Sequence, residues 1–126
     1  MIHDRHFSVD EANALLSQLE PKLRSLREAR DRLTDAEAHD ALAGAAPGNG
    51  GGEPGREVGE GFIAVRKLLG EISEIGIVLR DIDRGLIDFP TVRAGREVYL
   101  CWQLDEGPIE FWHEIEAGYG GREPLE

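Results

Sequence analysis

Apolar residues recur at two different periods along this chain, and the change of period divides it. Ala12, Leu16, Leu19, Leu23, Leu26 and Leu33 follow one another at alternating spacings of three and four, with one gap at Arg30. That spacing lays a single apolar stripe along a helix. Its start is marked by Ser8 and Glu11, in the S-x-x-E spacing of a capping box, with Phe7 placed to pack on Ala12. The pattern predicts helix 1 over about residues 9–40. Pro21 lies inside it and predicts a kink, because it removes the hydrogen bond to Ser17 and crowds that carbonyl. A second series, Val58, Phe62, Val65, Leu69, Ile72 and Ile75, predicts helix 2 over about 57–75, with Gly76 at the C′ position.

After Gly76 the period falls to two. "IVLRD", "LIDFPTV", "EVYLCWQL" and "IEFWHEI" read as short strands. The joints "IDRG", "RAGR" and "DEGP" each supply a glycine for a hairpin. The expected fold is α+β: a long antiparallel helical hairpin, then a four-stranded antiparallel β-meander over 77–116, then a glycine-rich tail over 117–126, all in one domain spanning 1–126. Helix 1 outruns helix 2, so part of its stripe lacks a cover within one chain.

The turns also set an expected register. A two-residue loop at Ala94–Gly95 opposes Thr91 to Val98, Phe89 to Leu100 and Ile87 to Trp102. A loop at Glu106–Gly107 then opposes Trp102 to Phe111 and Leu100 to His113. On this register His113 joins Ile87, Phe89, Leu100 and Trp102 under the helices. Tyr99, Cys101 and Trp112 form an aromatic and thiol patch on the other face, beside Asp88.

Composition narrows the functions. The 126 residues fit a single domain. A net charge of −11 argues against a general nucleic-acid binder, which must supply cations to phosphates, and against docking on anionic membranes. One cysteine allows no disulfide within the chain, which suits a reducing cytoplasm. No apolar run approaches the roughly 20 residues of a membrane span. The basic residues of helix 1 face acidic partners four positions away, as in Glu20–Arg24 and Glu28–Arg32, so they make a solvated, self-paired face. Residues 43–55, "AGAAPGNGGGEPG", read as a flexible connector: they have no lysine and no P-loop spacing.

The densest chemistry is in "FWHEIEAGYGGREP", residues 111–124. Strand alternation sets Glu114 and Glu116 on the face away from His113, which favours a structural histidine over a local three-residue metal site. A divalent-metal site drawing on His113, Asp88, Glu114 and Glu116 stands as the alternative. No complete catalytic spacing is present, and no cofactor is required. Tyr99, Cys101, Trp112 and Arg122 make the candidate interaction surface.

"HFSVDEANALL", "GIVLRDIDRGLIDFP", "GREVYLCW" and "FWHEIEAGYGGREPL" closely resemble a family of small bacterial proteins known as domain of unknown function 2203. The resemblance spans nearly the whole chain outside the connector. It implies no activity and no catalytic residues. The expectation is a non-enzymatic interaction or assembly module acting as a cytoplasmic homodimer, with the unfilled helix 1 stripe and the Tyr99–Cys101–Trp112 patch as its contacts. The alternative is a small metal-binding protein, or a metal-dependent or acid–base enzyme, centred on His113.

Overall fold

In the computed structural model of the protein, the backbone is described at residues 1–43 and 53–126 and the side chains at 1–35 and 58–126. The connector expected at 43–55 lies mostly outside the described residues. Two helices, α1 (Val9–Ala43) and α2 (Glu53–Ile75), precede an antiparallel sheet. Its strands are β1 (Val78–Asp81), β2 (Leu86–Arg93), β3 (Arg96–Trp102), β4 (Phe111–Glu114) and β5 (Glu123–Pro124), paired in chain order. Five strands replace the expected four. The tail does not run free. It makes a short turn at Tyr119–Gly121 and returns to set Pro124 against Phe111 and Glu123 against Trp112.

The start of α1 follows its capping signal. The Ser8 amide donates to Glu11 Oε1 and the Glu11 amide donates to Ser8 Oγ, both at 3.0 Å. Ala12, Leu19, Leu23 and Leu26 are buried, and Ala29 fills the gap in the stripe at Arg30. Pro21 lies within α1 without ending it. On α2 the covered face is turned from the expected one. Val65, Leu68, Ile72 and Ile75 pack toward the core, while Phe62 and Leu69 are exposed. Lys22 pairs with Glu71 at 2.9 Å, and Gly61 lies against Leu33 and Ala29. The absence of a side chain at Gly61 lets the helices approach there.

The β2–β3 register is the expected one, with Ile87 opposite Trp102, Phe89 opposite Leu100 and Thr91 opposite Val98. Its loop takes positive φ at both Ala94 (53°) and Gly95 (77°), as a two-residue hairpin of this hand demands. The β3–β4 register differs by one residue. Leu100 opposes Trp112, Tyr99 opposes His113 and Cys101 opposes Phe111. The cause is the connection. Residues 103–110 form a folded loop, not a tight turn at Glu106–Gly107. Asp105 takes φ 75°, the Trp102 indole donates to the Gly107 carbonyl, and the Ile109 amide donates to Asn13 of α1. Leu104 and Ile109 point into the core. Side chains alternate with a period of two, so a one-residue slip moves a whole strand's side chains to opposite faces. Trp112 therefore packs toward the helices, and His113 joins the outer face.

Candidate functional site

The outer face of the sheet is where polar chemistry collects. Asp88 of β2 lies directly opposite Cys101 of β3. His113 of β4 lies opposite Tyr99, two residues along from Cys101 on the same face. Asp88, Cys101 and His113 are each no more than 2% exposed. One donor atom from each lies within 4.8 Å of the other two.

The imidazole is held at both nitrogens. His113 Nδ1 is 2.7 Å from the backbone oxygen of Glu114, and Nε2 is 3.0 Å from Asp88 Oδ1. A carbonyl oxygen can only accept, so Nδ1 carries a hydrogen and donates it. Nε2 is then the basic nitrogen, and a proton shared with Asp88 joins the pair. The second oxygen of Asp88 accepts from Arg80 Nε at 2.9 Å. Arg80 reaches it because the β1–β2 register shifts between Leu79 and Asp81, a bulge that re-aims the intervening side chain.

Burial pushes the Cys101 thiol up to about 12, and the Asp88 charge adds to the push. The Arg122 guanidinium opposes it but does not prevail. Such a thiol is a poor nucleophile. The geometry agrees, because a cysteine–histidine pair needs a free imidazole nitrogen facing the sulfur. Here Asp88 and the Glu114 carbonyl occupy both.

Two chain ends flank the cluster. The Tyr99 ring lies 5.4 Å from the His113 ring, and its hydroxyl meets His3 Nε2 at 2.7 Å. On the other side Arg122 lies over the Phe111 ring at 4.0 Å and the Tyr119 ring at 4.6 Å, with one nitrogen on Glu106 at 2.7 Å. Its buried Nε has no hydrogen-bond partner among the described residues.

The structure thus brings together His113 and Asp88 but not the two glutamates. The Glu114 carboxylate pairs with Arg96, and only its backbone oxygen touches His113. Glu116 is exposed, outside the cluster. Tyr99 and Cys101 are covered by the chain itself, and Trp112 has left their face, so the expected Tyr99–Cys101–Trp112–Arg122 surface does not form as one patch. Cys101 as a ligand was open to inference, since the β2–β3 turn already sets it opposite Asp88. Arg80 was hidden by the bulge.

These features define a two-helix, antiparallel-sheet α+β protein with a buried Asp–Cys–His cluster on the sheet's outer face. The chain belongs to the family described as an uncharacterized conserved protein, DUF2203, which matches residues 5–125. No curated protein and no solved structure matches it. Among the described residues no helix is long and apolar enough to cross a membrane.

Proposed function

We propose that this protein binds one divalent transition-metal ion between Asp88, Cys101 and His113. The observation that carries this reading is the convergence of three buried donor atoms of different chemistry within 4.8 Å. The surroundings suit ligation. A metal-binding histidine usually donates its other N–H to a carbonyl or carboxylate, which orients the ring, and His113 does so to Glu114. Arg80 orients the Asp88 carboxylate in the same way. A set of one nitrogen, one sulfur and one oxygen suits zinc, and three protein donors leave one position of a tetrahedral ion for a further ligand. Binding replaces the proton shared by His113 and Asp88 and the proton of the thiol. A cytoplasmic setting, which keeps cysteine reduced, fits this use of Cys101.

Elemental analysis of protein purified without chelator, with zinc titration of the metal-free form, tests the reading. About one ion per chain is expected in the wild type, and little in His113→Ala and Cys101→Ser. A wild type that neither carries nor takes up metal overturns it.

A homodimeric assembly role is the second reading. The observation favouring it is the run of exposed apolar side chains on α2, Phe62 at 53% and Ile63 at 67%, with Leu69 nearby. Light scattering after gel filtration decides it: a mass staying near 13.9 kDa at high concentration removes the dimer.

A further inference from the structure

The metal site proposed above is enclosed, so an ion or reagent reaches it only if part of its cover moves. Arg80 covers part of it, bonding Asp88 at 2.9 Å and lying over the Tyr99 ring at 5.1 Å, and the two chain segments beside it are built differently. The C-terminal tail is woven in: β5 pairs with β4, the Leu125 amide donates to the Glu110 carbonyl, Arg93 holds the Leu125 carbonyl, and Arg122 is wedged between two rings. The segment Ile2–His6 is not. None of its side chains is buried, and Ile2 is 70% exposed. The core begins only at Phe7, which is buried and whose amide donates to the Pro90 carbonyl.

What holds Ile2–His6 is a small polar clasp. The Ile2 amide donates to one oxygen of Glu97 at 2.8 Å and the His3 amide to the other at 3.0 Å. His6 Nε2 meets the same carboxylate at 2.7 Å. Arg5 adds a bond to the Ile75 carbonyl at the end of α2. Glu97 lies at the far end of the outer face, opposite Val92 and one turn of alternation from Tyr99. The His3 ring stands edge-on to Tyr99, with centroids 5.4 Å apart, and Tyr99 in turn lies on His113. The clasp on Glu97 therefore positions His3 on Tyr99, the cross-strand neighbour whose ring packs beside the His113 ligand.

We propose that residues 2–6 form a strap that gates the Asp88–Cys101–His113 site, with Glu97 as its latch. Releasing three donors from one carboxylate loosens the strap and takes the His3 contact off Tyr99, while the fold from Phe7 onward stays intact. Local opening of this kind draws on the least buried part of a structure. That the gated site is a metal site rests on the reading above; that the strap gates access to Cys101 does not.

The test measures both. In metal-free protein, the rate of Cys101 reaction with a thiol reagent reports access to the site. In zinc-loaded protein, the rate of zinc transfer to a chelator reports exit. Glu97→Ala should speed Cys101 labelling by about tenfold or more, the factor that about 1.4 kcal/mol makes in an opening equilibrium. His3→Ala, which leaves the latch in place, should speed it less. Zinc uptake and release should accelerate together in Glu97→Ala, leaving the affinity nearly unchanged. Labelling rates equal to the wild type in both folded variants overturn the strap. So does an opening free energy, taken from the labelling rate, that equals the global unfolding free energy in urea in both wild type and variant, since labelling would then proceed through unfolding. If Glu97→Ala does not fold, His3→Ala alone carries the comparison. If zinc fails to bind while labelling still responds to Glu97 and His3, the metal reading falls and the gate stands.

Discussion

At the scale of single residues, two side chains carry predictions. His113 is buried and hydrogen-bonded at both nitrogens, so His113→Ala leaves Asp88 with a buried oxygen that has lost its partner. Urea unfolding of the metal-free protein should show a loss of about 1–3 kcal/mol. Glu97 is the second. Its desolvation pushes the carboxyl up, but the His3 amide, the His6 ring and the Ile2 amide together outweigh it and hold the group at about 2, against an ordinary 4.5. A depressed folded pKa means that the contribution is fully present above about 4.5 and is lost as the pH falls through about 2. Acid unfolding of wild type and Glu97→Gln should therefore differ most above pH 4.5 and converge toward pH 2. A constant gap across that range would show that the Glu97 charge does not stabilise the fold.

At the scale of elements, the connections matter more than the strands. The loop over 103–110 sets the register of β4 and so selects which aromatic residue faces the helices. It is held down by Leu104, which covers the β1–β2 turn at Gly85. Gly85 takes φ 58°, and a Cβ there would overlap the Leu104 side chain. Gly85→Ala therefore combines backbone strain with a clash, and the expected cost is about 2–3 kcal/mol. Chemical denaturation measures it. A cost well below 1 kcal/mol would show that the loop is free to shift and does not fix the register. The bulge at Arg80 works similarly on the opposite edge, since it turns a strand residue onto Asp88.

At the scale of the whole molecule, the two layers have separate tasks. The helices cover Ile87, Phe89, Leu100 and Trp102, which supply the apolar burial. Among the described residues the outer face is flanked by the segments around His3 and Arg122 and by Arg80 of β1. A ligand that binds only the folded state adds to stability by mass action, about 2.7 kcal/mol at a hundredfold excess over Kd. Zinc should thus raise the melting temperature of the wild type by several degrees, and leave His113→Ala unmoved. The Cys101 thiol, pushed up to about 12, must give up its proton to bind. The zinc-induced shift should therefore grow as the pH rises from 6 to 8, about the range accessible to titration. A shift independent of pH, or one shared by His113→Ala, would point to zinc bound elsewhere.

Much of this architecture was legible along the chain. The capping box at Ser8–Glu11, the leucine stripe of α1 and the turn at Ala94–Gly95 are local signals, each written in residues close in sequence, and each settles the element it belongs to. The β2–β3 turn is short enough to set Asp88 opposite Cys101 by counting alone. The position of His113 was not legible. It depends on whether residues 103–110 span an even or odd register, and that is decided by Leu104 and Ile109 finding the core, Asn13 holding the Ile109 amide, and the tail returning to pair with β4. Those contacts join residues up to 96 positions apart. A period of two makes faces unambiguous within a strand, yet says nothing about which face meets which neighbour. Local pattern therefore determined β1 to β4, but not β5, and the outer-face pairing of Asp88 with Cys101. Only long-range packing decided that His113 completes the cluster and that Trp112 leaves it.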